Sequence, residues 1–401
     1  MSDLRKKFLR HLAQTSEAPI GLEIERANGS WLITREGRRY LDFIAGIGVS
    51  ALGHGHPAVL KALAEQAARH LHVMVYGEYV IEAQVALASR LSELLPHPID
   101  CVYFTNSGAE AIEGALKSAR KHTGKPAWAA FEGAYHGDTL GALALAGSFD
   151  FRAPFEPLPG PVIHLPYDDE RALAKLDSSV GAVVIEPVQA EGGVRIPSTQ
   201  FIRALRRRCD ELGALLIFDE VLTGLGRTGK LFALEHFGVR PDILVLAKAL
   251  GGGLPLGAFC AASALLKTLS HDPPLGHITT FGGHPLSCAT GLAALDFIVA
   301  NRLWERARQA GERLAVQLSE LVDANRVRAV RGIGLLVGIE FTCAELTRRF
   351  VEKTIAGGVV VNWTLNADNV VRLAPPLIIS DEEIDFALAA MRKALRALPA
   401  R

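Results

Sequence analysis

The chain has 401 residues, 49% of them hydrophobic and 21% charged, and its 43 basic and 43 acidic side chains cancel to a formal net charge of zero. That length can bury a large core and usually holds more than one lobe, while the charge balance gives no electrostatic case for nucleic acid or an anionic membrane. Five scattered cysteines without a CxxC pair, and an opening MSDLRKKFLRHL without an apolar segment, argue against a disulfide framework, a zinc site and a secretory leader, so a cytoplasmic protein with no membrane partner is expected.

In chain order, strand-like pieces come first, at 22–27 and 31–34, with a turn at Glu36–Gly37. They are expected to pack with the C-terminal lobe. Between 100 and 262, short apolar runs at 102–105, 128–131, 182–185, 215–218 and 243–246 read as buried strands. Helical patterns such as 109–122 and 200–212 separate them. This alternation predicts an α/β fold with a mostly parallel central sheet covered on both faces. After about residue 300 the pattern changes. Helices at 303–322, 344–356 and 381–395 flank short strands at 334–341, 359–362 and 370–373, which reads as a smaller α+β lobe. The expected division is a large domain over 49–299 and a discontinuous small domain from 1–48 and 300–401.

Ligands in open α/β sheets sit beyond the carboxyl ends of the strands. Three such ends carry distinctive polar residues: VVIEPVQAEGG with Glu186 and Glu191, LLIFDEV with Asp219, and DILVLAKALGGG with Lys248. A lysine leaving a buried strand is unusual, because lysine is rarely buried without a partner. Burial disfavours its ammonium form, which eases Schiff-base chemistry. A carboxylate at a neighbouring strand end suits the protonated nitrogen of a pyridine ring. Spacing alone leaves a plain Lys248–Asp219 ion pair equally open. Thr105-Asn106-Ser107-Gly108-Ala109 follows a strand and opens a helix, where free N–H groups can bind phosphate or be capped locally. His54 and His56 in GHGHP have no carboxylate or cysteine partner nearby in sequence and read as a turn, so no metal site is expected.

GALLIFDEVLTGLGRTG followed by PDILVLAKALGGGLPLGA resembles the cofactor-binding stretch of class III pyridoxal-phosphate aminotransferases, the ornithine and acetylornithine aminotransferase group. The likeness runs from about Gly21 to Pro376 through YLDFIAGIGVSALGHGHP, FTNSGAEAIEGALKSAR, GAYHGDTLGA, EPVQAEGGV, TTFGGHPLSCA and VRLAPPLI. The resemblance implies fold type I, the cofactor pyridoxal 5'-phosphate, and a homodimer that shares its active sites. It implies Lys248 as the residue holding the cofactor and acting as base and acid, with Asp219 on the ring nitrogen. Ser107, Gly108 and Ala109 match the phosphate site, and Thr280 matches a threonine reaching it from the partner subunit. Tyr135 matches the stacking aromatic, Val221 the opposite ring face, and Glu186 and Gln189 join the cofactor set. Relatives often have glutamine where this chain has Leu222. Leucine cannot hydrogen-bond, so Gln189 or water is expected to take over that contact.

Arg372 matches the family arginine that clamps a carboxylate, and Glu191 the glutamate that pairs with it and swings away when 2-oxoglutarate or glutamate binds. A permanent salt bridge is the plain alternative. Acetylornithine aminotransferases typically carry arginine where this chain has Asp138. The acid disfavours a carboxylate there and leaves room for ornithine, lysine or a diamine. Asp138 could equally cap a helix or pair with an arginine. The implied activity is transfer of an amino group from a terminal amine to 2-oxoglutarate. A mutase or decarboxylase on the same fold, or a non-catalytic scaffold, are the rivals.

Overall fold

The computed structural model describes residues 2–323 and 325–399. Its centre is a seven-stranded sheet in the order Cys101–Thr105, Gly257–Ala261, Ile243–Leu246, Leu215–Asp219, Val180–Ile185, Ala127–Phe131, Val162–Leu165. Gly257–Ala261 runs antiparallel to both neighbours, and every other pair is parallel. All five expected strands are present. Val162–Leu165 and Gly257–Ala261 were not expected, because one lies at an edge and the other, GAFCA, is built of small residues.

Alternation along the strands divides the core. Val183, Ile185, Leu216, Phe218, Leu244 and Leu246 face one side, where Phe201, Ile202 and Leu205 of the helix Thr199–Leu212 pack. Ala182, Val184, Ile217, Ile243 and Val245 face the other, against Ala111, Ile112 and Ala115 of the helix Gly108–Thr123. Side chains that alternate with a period of two, and are apolar on both sides, are what a sheet covered on both faces requires.

Two four-stranded sheets flank this layer. Ile24–Asn28, Trp31–Thr34 and Arg39–Asp42 form an antiparallel meander to which Val359–Val360 adds in parallel. The N-terminal strands thus pack with the C-terminal part, as expected. Val327–Ile333, Leu336–Phe341, Val370–Leu373 and Asn362–Trp363 form the second sheet. The single strand expected at 359–362 is in fact two, one in each sheet, with the chain crossing at Val361. That crossing sets Asn362 opposite Arg372. Among the described residues no single helix is long and apolar enough to cross a membrane.

Candidate active site

The carboxyl ends of the parallel strands open onto one cavity of about 500 Å³. Apolar runs fix the strands, and the first polar residue after each run is delivered to the same rim. Asp219 ends its strand, and Lys248 follows two residues after Leu246. Glu186 comes directly after Ile185, and Asn106, Ser107 and Gly108 follow Thr105. Each of these lines the cavity, with Ala109, Tyr135, Asp138, Glu191, Val221 and Leu222.

Asp219 is almost wholly buried. Its Oδ2 lies 2.7 Å from His136 Nδ1, and its Oδ1 accepts from the Val221 N–H at 2.9 Å. The partner of Asp219 is therefore a histidine. The plain Lys248–Asp219 ion pair does not form, and among the described residues no side chain hydrogen-bonds the Lys248 amine. Desolvation of the His136 ring works against its charge, but the hydrogen bond to Asp219 and the charges of Asp219 and Glu186 outweigh it, so its pKa is raised. His136 Nε2 is buried with no partner.

Lys248 sits at φ 49°, a left-handed backbone that a non-glycine residue adopts at a cost and that clusters at functional sites. Burial first, then the nearby Arg372 charge, lower its pKa, against opposing pulls from Glu191, Asp219 and Glu186. Burial pushes the Glu186 carboxyl up to about 7 despite the cationic His136 nearby. Glu186 bridges two loops by accepting from the Tyr135 and Ala190 N–H groups, both at 3.1 Å.

Ser107 caps the helix Gly108–Thr123, its Oγ accepting from the Glu110 N–H at 3.2 Å. The N–H groups of Gly108 and Ala109, in the first turn, have no acceptor inside the helix and border the cavity. A Cβ on Gly108 would come within 2.9 Å of Val221 Cγ2, so only glycine lets this helix start approach so closely. Leu222 has room because residue 48 is glycine: a Cβ there would stand 2.2 Å from Leu222 Cδ1.

Arg372 is buried, 1% exposed, in an ion pair with Glu191. The other oxygen of Glu191 accepts from the Leu365 N–H at 2.8 Å. Desolvation raises the Glu191 pKa, but Arg372 and that N–H bring it below its usual value. Arg227, also buried, donates to the Leu335 and Pro375 carbonyls. Burial and the Arg372 charge lower its pKa to about 9.

Two expected site residues lie elsewhere. Gln189 does not border the cavity, which corrects the sequence reading. Its side chain is fully buried, its Nε2 donates to the Glu132 carbonyl at 2.9 Å, and its Oε1 is packed against Gly133 and Gly192. It cannot replace the hydrogen bond lost at Leu222. Thr280 is exposed, away from the cavity of its own chain. His136 is the residue that sequence reasoning missed. Its signal was its place inside AYHG, between two residues that were read.

His54 pairs with Asp42 at 2.9 Å, and His56 packs edge-on against Phe297 at 4.3 Å, so the two rings have separate structural partners.

Residues 12–395 match the family model "Aminotransferase class-III". The chain belongs to the class III aminotransferase family. Among its relatives, the acetylornithine aminotransferase of Methanopyrus kandleri is 43% identical, over 96% of this chain and 97% of that one. That of Gloeobacter violaceus is 40% identical, over 99% and 98%. Among solved structures, the ornithine aminotransferase of Toxoplasma gondii, described with partial occupancy of PLP at its active site, superposes with a TM-score of 0.91 at 31% identity, covering 98% of this chain and 94% of that one. An (S)-enantioselective omega-transaminase from Thermomicrobium roseum gives 0.90 at 33% identity, covering 98% and 97%.

This aminotransferase has the acetylornithine and ornithine aminotransferase type of sequence, and its cofactor is pyridoxal 5'-phosphate, as in its family. The cavity fits that molecule. It has two unpaired first-turn N–H groups for an anion, a poorly solvated lysine amine, and a buried carboxylate already fixed by two donors. Its substrates are an amino donor and a 2-oxo acid.

Proposed function

We propose that this aminotransferase moves the amino group of a terminal amine, an ornithine- or acetylornithine-like compound, lysine or a diamine, to 2-oxoglutarate. The observation that carries the reading is the buried Glu191–Arg372 pair beside the Lys248 amine. A single pocket must accept both an amine and a dicarboxylate. Glu191 neutralises Arg372 while an uncharged or cationic donor is bound. When Glu191 turns away, Arg372 offers a bidentate clamp to an α-carboxylate. Two-substrate exchange needs such a device; a mutase or decarboxylase does not.

When bound, pyridoxal phosphate supplies a ring that withdraws electrons from the carbon bearing the substrate nitrogen. The chain's own groups do the rest. Lys248, its charge disfavoured by burial, can hold the cofactor covalently, take a proton from the substrate carbon and return it. Asp219, held by His136 and the Val221 N–H, keeps a negative charge in place for a ring nitrogen. The N–H groups at Ser107, Gly108 and Ala109 hold the phosphate. Tyr135 and Val221 flank the ring, and Glu186 orders the Tyr135 loop from beneath. Thr280, outward-facing in one chain, serves the partner's cavity in a homodimer. The large domain over 49–299 carries the cofactor, and 1–48 with 300–401 carries Arg372.

The test is Arg372→Ala, assayed with glutamate, 2-oxoglutarate and a panel of terminal amines, with pyruvate as alternative acceptor. Loss of a buried bidentate contact to a carboxylate lowers kcat/KM for 2-oxoglutarate by about 100-fold. The amine half-reaction loses less. Equal losses in both halves would remove the switch from the mechanism, and no transfer from any terminal amine would remove the activity.

A further inference from the structure

We propose that Asp138 selects donors carrying a second, free ammonium group, aliphatic diamines or diamino acids, over monoamines and N-acylated donors. This rests on the terminal-amine reading above and names the substrate class of the same cavity.

Asp138 borders the cavity, and its Oδ2 accepts from the Tyr135 hydroxyl at 2.7 Å. Burial, with Asp138 itself beside it, pushes the Tyr135 phenol well above its usual range. The phenol therefore remains a donor at neutral pH and fixes the carboxylate by one oxygen. The carboxylate has no structural task. The helix Leu140–Ala144 begins at Thr139, and the first-turn N–H groups of Gly141 and Ala142 are taken by Glu113 Oε1 at 2.8 and 3.3 Å. Capping by Asp138 is thereby excluded. Among the described residues no lysine, arginine or histidine forms an ion pair with it.

A charge inventory of the wall makes the point sharper. Asp219 is matched by His136 and Glu191 by Arg372. Glu186 accepts two backbone N–H groups and is pushed to about 7 by burial. Among the described residues Asp138 is the lining carboxylate left without a cation. A donor with a second ammonium supplies that cation as a charge-assisted hydrogen bond to the free oxygen. Acylating the second amine removes the charge, and a carboxylate in its place is repelled.

The experiment compares 1,5-diaminopentane with 1-aminopentane, and ornithine with Nα-acetylornithine, each with 2-oxoglutarate, in the wild-type holoenzyme and in Asp138→Asn. Asparagine keeps an acceptor for the Tyr135 hydroxyl and removes the charge. In the wild type kcat/KM favours the diamine over the monoamine by about tenfold or more, chiefly through KM, and favours ornithine over its acetylated form. In Asp138→Asn both ratios fall toward one. A wild-type ratio near one, a preference for Nα-acetylornithine, or ratios unchanged in the variant each overturn the proposal. The wild-type comparison decides even where the variant folds poorly. Transfer from all four amines without discrimination sinks this inference alone; transfer from none sinks the terminal-amine reading and takes the inference with it.

Discussion

Replacing His136 with phenylalanine tests whether Asp219 is a fixed charge or a movable one. The ring volume is kept and the donor at Nδ1 is lost. The His136 side chain is 0% exposed and that of Asp219 5%, so water cannot take the donor's place, and Asp219 keeps only the Val221 N–H at 2.9 Å. A hydrogen bond to a charged group contributes about 1.5–3 kcal/mol, and stranding a buried charge adds to that loss. Against this, phenylalanine removes the unpartnered Nε2, a relief of about 1 kcal/mol or more. The net cost is about 2 kcal/mol, a fall of roughly 2–3 °C in melting temperature for a chain of this length. Its pH dependence has a definite sign. The His136 pKa is raised in the fold. Its imidazolium therefore contributes fully below about pH 6.5, the ordinary histidine value, and the contribution is lost as pH rises through the elevated value. Thermal melts of the holoenzyme at fixed protein and cofactor concentration should thus show the widest gap between wild type and variant at pH 6, narrowing at high pH. The same variant should retain pyridoxal phosphate less well through gel filtration, and His136→Asn, which restores one donor, should recover part of both losses. A gap that is absent at pH 6, or that does not change with pH, would refute the reasoning.

Lys248→Ala should abolish turnover, by more than about 1,000-fold given what loss of a nucleophile and general base usually costs, while the folded chain still takes up cofactor non-covalently; residual wild-type turnover refutes its role. Because the Lys248 pKa lies below its ordinary 10.5, the amine sheds its proton early. The wild-type rate should rise with pH along a limb whose midpoint lies below 10.5, and a limb at or above that value would contradict the desolvation argument. Gly48→Ala forces a side chain onto a backbone at φ +77°, 2.2 Å from Leu222 Cδ1, for a cost of about 2–4 kcal/mol. Adding Leu222→Ala should recover the steric part and leave the backbone part. Strict additivity in that double-mutant cycle would show that the two residues do not touch.

The residues that could be read from the chain share one property. Glu186, Asp219 and Lys248 each stand at the end of an apolar run, and a strand buried on both faces leaves a polar residue only its end. The helix start at Ser107–Ala109 was legible for a related reason, since a strand running into a glycine-bearing turn must leave N–H groups free. Gln189 was misread because nearness to Glu191 in sequence is not nearness in space. Its backbone pairs with Arg195 across a tight loop, which turns the amide toward the Glu132 carbonyl. His136 was missed because its meaning lies in a carboxylate 83 positions away, and a histidine inside a motif shows no burial until the sheet is assembled. The strand read as one piece at 359–362 failed on the same ground: no local pattern says that neighbouring residues join different sheets.

That crossing at Val361 bears on the substrate switch. Arg372 is held in register by Asn362 on one side and Gly338 on the other, so the guanidinium is the fixed member of the pair. Glu191 lies on the loop after the strand Val180–Ile185, and besides Arg372 its side chain is bound to one N–H, that of Leu365. Leu365 follows directly on the segment that leaves the Asn362–Trp363 strand, and Asn366 next to it donates to the Gly133 and Ala134 carbonyls at 3.1 and 3.0 Å. Glu191, the 365–366 turn and the Tyr135 loop are thus joined by a few hydrogen bonds, while Arg372 is locked in a sheet. A dicarboxylate that displaces Glu191 from Arg372 therefore has to break one charge-assisted pair and one N–H bond, and the groups that adjust lie on loops next to Tyr135 and Asp138. The physical asymmetry is that the cation stays and the anion moves. The same loops that release Glu191 also carry the residues argued to read the donor, so the two substrate choices are made by one connected stretch of chain.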